Sequence, residues 1–175
     1  MNKKQRGVTL IEACVTVAVM AIVASGAAPS MQAMLDARRL DGIASQLASD
    51  LQFARVSAVA RNQRLRLSLQ TDAGGTCYVV HTGAADACRC GESGPAVCSP
   101  GASEVRTVRV SPADRVQMQA NVASILFDPV HGTSTPAGTV RMIGANGREL
   151  RHVVNVMGRV RTCSPQGSVA GYRAC

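Results

Sequence analysis

Three sets of residues in this 175-residue chain have types and spacings that could do chemistry. The first is a lone carboxylate, Glu12, set in an apolar run from Val8 to Ala28 that carries no other charge. As a helix that run measures roughly 31 Å, enough to cross a bilayer's hydrocarbon core, where an unpaired carboxylate is costly and so calls for a partner. The second is Arg159 and Arg161, two positions apart in a tail that also holds Arg141, Arg148, Arg151 and Arg173 against Glu149 alone. On an extended segment Arg159 and Arg161 face the same way about 6–7 Å apart, close to the phosphate spacing along a nucleic-acid strand. Guanidinium forks also match phosphate oxygens better than an ammonium does. The third set is seven cysteines.

Cys14 falls in the apolar run and reads as a buried free thiol. Cys77, Cys88, Cys90, Cys98, Cys163 and Cys175 all follow it, and an even number in a domain outside the cytoplasm reads as disulfides, with fifteen possible pairings. Cys163 with Cys175 is the pairing we expect; it would staple the tail at a gain of about 3 kcal/mol in the loop-entropy account. A zinc site built from Cys77, Cys88, Cys90 and Cys98 is disfavoured, because their spacing lacks the short paired knuckles of zinc modules. His81, His131 and His152 are scattered and read as surface or turn residues. No nucleophile elbow, phosphate loop or zinc-protease signature is present, so we expect neither an enzyme nor a cofactor or metal.

The elements that must position these groups follow from periodicity. Past Pro29, Leu40, Ile43, Ala44, Leu47, Leu51, Ala54 and Ala58 recur at three- and four-residue steps, the stripe of an amphipathic helix running to about Arg61. Arg38, Arg39, Asp41, Gln46, Ser49, Asp50, Gln52 and Arg55 lie off that stripe. Proline inside the combined helix predicts a bend, and Asn62 is a candidate cap before the first strand. From Leu65 the period becomes two, and Leu65, Leu67 and Leu69 alternate with Arg66 and Ser68 as a half-buried strand. Further strands are expected at 77–82, 104–110, 116–119 and 124–127. The segments 139–144 and 149–156 read as a hairpin around Asn146-Gly147. The stretches 158–161 and 169–173 close the chain. The segment 83–103, rich in Gly, Pro, Ala and Cys, reads as a long loop fastened by disulfides.

The fold class is therefore α+β, a long N-terminal helix on a C-terminal antiparallel β-rich domain. With 2% aromatics its core must be aliphatic. The expected organisation is a leader at 1–7, a membrane and assembly helix at 8–28, its amphipathic continuation at 29–62 and the β-rich domain with its basic tail at 63–175. The net charge of +8, concentrated in the tail, suggests an anionic partner there.

Lys3, Lys4 and Arg6, then Gly7 and Val8-Thr9-Leu10-Ile11-Glu12 ahead of a long apolar helix, resemble the type IV prepilin signature. Val8 departs from the phenylalanine usual there, while Pro29 stands where pilins commonly carry proline. The segments 53–62, Ile125-Leu126-Phe127-Asp128-Pro129 with Gly132, and Gly158-Arg159-Val160-Arg161-Thr162-Cys163 resemble the GspH/FimT-type minor pilins and pseudopilins. The resemblance spans most of the chain but not the loop at 83–103. It implies cleavage by a prepilin peptidase after Gly7, methylation of Val8 as the new terminus, and Glu12 facing a neighbouring subunit's amine in a filament. It further implies insertion in the inner membrane with the domain in the periplasm, then assembly with other pilins into a pilus. Gly-Arg-x-Arg resembles the motif by which FimT-type minor pilins contact DNA during uptake in natural transformation. Arg159 and Arg161 would contact the duplex backbone without sequence preference, with Arg148, Arg151 and Arg173 extending the patch. The alternatives are a structural minor pilin that primes pilus assembly without DNA, and a minor pseudopilin of a type II secretion system.

Overall fold

The computed structural model describes residues 9–92 and 94–175. The helix α1 runs Leu10–Ala60 and continues through Pro29. Thr9 opens it: its carbonyl accepts the Ala13 N–H, and its hydroxyl lies 3.4 Å from the Glu12 N–H. Glu12 is exposed in the first turn, where a negative charge suits the helix dipole. The apolar residues from Leu10 to Val23 are exposed along the chain, and the helix is long and apolar enough to cross a membrane. Cys14, expected to be buried, is free and exposed among the described residues.

Two compact units divide the chain, residues 1–35 and 36–175. In the second, the helical stripe is the floor of the core. Leu40, Ala44, Leu47, Leu51, Ala54 and Ala58 are all buried, with Ile43 packed at the edge. Each buried leucine is worth about 1.5–3 kcal/mol. The helix ends in a Schellman motif: Gln63 N–H reaches Ala58 O, Asn62 N–H reaches Val59 O, and Asn62 takes the left-handed conformation at φ 48°.

Two antiparallel sheets complete that core. Five strands form one, in the order β5 (Glu104–Val110), β2 (Gly75–His81), β1 (Leu65–Asp72), β7 (Ser124–Phe127), β8 (Ser134–Thr135). Four form the other, in the order β11 (Val160–Cys163), β10 (Glu149–Val154), β9 (Gly138–Gly144), β6 (Val116–Ala120). Leu65, Leu67, Tyr78 and Val80 of the first sheet meet Met118, Val140, Met142, Leu150 and Val154 of the second over the helical leucines. The loop at 83–103 carries a two-residue ribbon, β3 (Cys88–Arg89) with β4 (Val97–Cys98). Disulfides Cys77–Cys90 and Cys88–Cys98 fasten it, answering the pairing the sequence left open. The Gln70 side chain also grips it, donating to Cys88 O and accepting from Cys90 N–H.

Several expectations fail in instructive ways. Asp50, read as off the stripe, is fully buried. Tyr78 Oη donates to its carboxylate at 2.7 Å, Gln46 Nε2 at 3.0 Å, and Arg106 forms an ion pair with it. Burial and that carboxylate together push the Tyr78 hydroxyl well above its ordinary pKa. His81 and His152, read as surface residues, are buried instead; His131 is exposed. His152 Nε2 donates to Ala44 O at 2.8 Å while the Thr162 hydroxyl stands 2.9 Å from Nδ1, so the ring ties the helix to two strands. Burial lowers both buried imidazoles' pKa values. No strand forms over 169–173; the tail is held beside β11 by an isolated bridge from Ser164 to Ala174, backbone hydrogen bonds and the Cys163–Cys175 disulfide.

Candidate nucleic-acid interface

Strand β10 alternates Leu150, His152 and Val154 inward, so Glu149, Arg151 and Val153 face out. Strand β11 pairs with it in the register Arg151 with Cys163 and Val153 with Arg161, which turns Arg161 to the same outer face. The connecting turn continues that register: Asn155 N–H donates to Arg159 O, and Asn155 Oδ1 accepts the Arg159 N–H at 2.9 Å. Arg159 thus has the parity of Arg161, and both are exposed.

Gly158 makes the turn possible. It sits at φ 70°, and a Cβ there would lie 2.4 Å from Gly132 O and 2.8 Å from Arg55 Nε. Arg55 Nε in turn donates to Gly132 O, so helix, Gly132 turn and hairpin meet where no side chain fits. In the Gly-Arg-x-Arg segment the glycine is therefore structural and the arginines are the exposed groups.

The tail closes the opposite end of the ribbon. Cys163 is bonded to Cys175, Ser164 N–H donates to Arg173 O, and the Ser164 hydroxyl donates to Glu149 O. Tyr172 Oη is hydrogen-bonded to Asp41 on α1, and its ring is half-buried. Arg173 and Arg148 stay exposed near this end and Arg159 at the other, with Arg161 between them. The five arginines thus line one ribbon and do not converge on a point.

Arg151 is not free. Its Nε donates to Glu149 Oε1 at 2.6 Å, and Arg141 on β9, opposite it in register, donates to the same carboxylate through Nε at 2.7 Å and Nη2 at 3.0 Å. The hydrogen bonds from Arg141, reinforced by Arg151, hold the Glu149 pKa down at about 2. From the sequence, Glu149 and Arg141 entered only the charge balance of the tail and were given no role at the site. The signal was available in the Asn-Gly turn, which sets the β9–β10 register and so brings the two arginines and the carboxylate together on one face. Among the described residues, no carboxylate lies in salt-bridge range of Arg148, Arg159, Arg161 or Arg173.

The family model described as type II transport protein GspH matches residues 44–158, well over half of the chain. The chain belongs to the GspH family. A prokaryotic N-terminal methylation motif matches residues 2–28, and with the apolar helix it fits the membrane anchoring of pilins. Gly7 and Val8, the expected cleavage and methylation positions, lie outside the described residues. No curated protein matches the chain in sequence. The fold is similar to that of the type IV minor pilin FimU of Pseudomonas aeruginosa, at a TM-score of 0.54 and 18% identity over 74% of this chain and 94% of that one. It is also similar to the minor pseudopilin EpsH from the type 2 secretion system of Vibrio cholerae, at 0.51 and 12% identity over 73% and 98%. At those identities the likeness carries the fold, a long helix packed on antiparallel sheets, in a family of minor pilins and pseudopilins.

Proposed function

We propose that this chain is a minor type IV pilin that joins a pilus and binds duplex DNA, without sequence preference, through the arginines of its C-terminal face during DNA uptake. The observation that carries the reading is the exposure of Arg148, Arg159, Arg161 and Arg173 with no described carboxylate against them. Cations so disposed gain most from phosphates, because they give up no existing partner and release counterions on binding. The ribbon between the Gly158 turn and the Cys163–Cys175 bond is braced at both ends, so little ordering entropy is lost on binding. The accompanying reading is that prepilin peptidase cuts after Gly7, Val8 is methylated and Glu12 meets a neighbouring pilin's terminal amine. Before assembly a single span holds the chain in the inner membrane with its domain in the periplasm.

The test uses the full oxidised chain in non-ionic detergent, titrated with random-sequence duplex DNA at several salt concentrations. Binding should weaken with salt at a log–log slope of roughly −0.9 per phosphate contact, and Arg159→Ala/Arg161→Ala should remove most of it. Equal affinity and slope in the two proteins would sink the proposal. The likeness to EpsH favours one second reading, a minor pseudopilin of a secretion system. That reading expects no DNA binding from either protein and binding to other pseudopilins instead.

A further inference from the structure

The outer face of the four-stranded sheet carries two more arginines than the exposed set uses, and both are occupied. Arg141 spends the Nε and Nη2 edge of its fork, the edge a phosphate would take, on Glu149. Arg151 spends Nε on the same carboxylate oxygen. The geometry is that of a carboxylate underneath two cations: the Glu149 side chain is 14% exposed, while Arg141 and Arg151 are 44% and 36% exposed. Arg151 is the Cα partner of Cys163, two pairs along β11 from the level of Arg161 and so on the same face, which places the clamped trio beside the free arginines.

We propose that Arg141 and Arg151 form a latent extension of the anion-binding face and that Glu149 holds them off it, setting the face's affinity for polyanions. The inference rests on the DNA-binding reading and adds to it a residue that limits binding. A carboxylate bonded to both guanidinium groups competes directly with phosphate oxygens and cancels one of the two charges locally. Four described residues fix the clamp: Glu149 lies opposite Ile143 on β9, its backbone carbonyl is held by the Ser164 hydroxyl, and its carboxylate is met by Arg141 and Arg151. Because the hydrogen bonds from those arginines keep Glu149 ionised down to about pH 2, mild acid does not open it. Only a change at the carboxylate, or an anion dense enough to displace it, frees the pair.

The experiment compares wild type, Glu149→Gln, Arg141→Ala and the Glu149→Gln/Arg141→Ala double variant as full chains in non-ionic detergent, titrated with random-sequence duplex DNA. Asp86→Asn is the charge-matched control, since Asp86 is exposed on the loop that a disulfide fastens to β2 of the other sheet. Thermal melts of each variant exclude misfolding. Glu149→Gln should bind at least about threefold more tightly at low salt, with a slope steeper by roughly 0.9 for each arginine released. Arg141→Ala should change little in wild type and remove much of the gain in the Glu149→Gln background. A Glu149→Gln protein no tighter than Asp86→Asn overturns the clamp. So does an Arg141→Ala loss as large in wild type as in Glu149→Gln, since Arg141 would then already be in use. If wild type binds and loses binding in Arg159→Ala/Arg161→Ala while Glu149→Gln gains nothing, the clamp alone falls. If neither wild type nor Glu149→Gln binds, the DNA reading falls and takes the clamp with it.

Discussion

The arginines of strand β5 and those of the C-terminal ribbon show the same residue type in two employments. On β5, Arg106 pairs with the buried Asp50 and lies 5.1 Å over the Phe53 ring, and Arg109 makes two hydrogen bonds to Asp72 at 2.8 and 3.0 Å and one to Gly91 O. Those cations fasten the helix and the disulfide loop to the five-stranded sheet. On the ribbon, Arg159, Arg161 and Arg173 stand exposed with no described carboxylate in reach, and Arg141 and Arg151 share one. Charge on the first sheet serves the fold; on the second, three of these arginines stand without a described carboxylate and two share one.

The sharpest way to break that contrast is to compare Asp50→Ala with Arg161→Ala. Removing Asp50 strands the Tyr78 hydroxyl in the core and takes the partner from Arg106, which is partly exposed and can still reach water. The expected loss is about 3 kcal/mol, near the low end for breaking a buried pair. Arg161→Ala should stay within about 0.5 kcal/mol, as surface changes do. Thermal melts followed by circular dichroism measure both, and equal losses would erase the distinction between the two regions.

A smaller effect sharpens the comparison from the other side, because the two buried histidines lie one in each sheet. His81 contacts Ser68 at 2.8 Å in the five-stranded sheet, and His152 bonds Ala44 and Thr162 from the four-stranded one. Burial depresses both folded-state pKa values below the ordinary 6.5, so the unfolded chain takes up protons first as pH falls. Their stability contribution is complete above about pH 6.5 and is lost as pH drops from there toward their folded values. Melting temperature should therefore fall between pH 7.5 and 5, by an amount equivalent to about 1 kcal/mol, and fall less in His152→Gln. Glu149 adds nothing in that window, since its own contribution fades only between about 4.5 and 2. A flat melting curve from pH 7.5 to 5 would mean the imidazoles are not held neutral.

Much of the fold was legible because its signals are local. The stripe from Leu40 to Ala58, the alternation of Leu65 and Leu67, and the Asn146-Gly147 turn each announce an element through spacing or backbone preference alone. Asp50 shows where that reading stops. Three- and four-residue steps link it to Leu47 and Ala54, inside the apolar arc, but its residue type argued for solvent, and its partners at 78 and 106 are distant in sequence. His152 repeats the lesson on a strand: parity with Leu150 and Val154 turned it inward while its chemistry suggested the surface. That Arg159 and Arg161 share one exposed face could be read from their spacing on an extended segment. The clamp on Arg141 and Arg151 could not, because it exists only once β9 and β10 are in register.

The most direct test of the central claim asks where DNA touches the unaltered protein. Random-sequence duplex DNA is crosslinked to the full oxidised chain in non-ionic detergent, and the attachment sites are mapped by mass spectrometry. Crosslinks are expected on the peptides carrying Arg148, Arg159, Arg161 and Arg173 and none on Glu104–Val110, where the arginines are already engaged. Crosslinks concentrated on β5 or on the 83–103 loop, or none above a non-binding control, would contradict it.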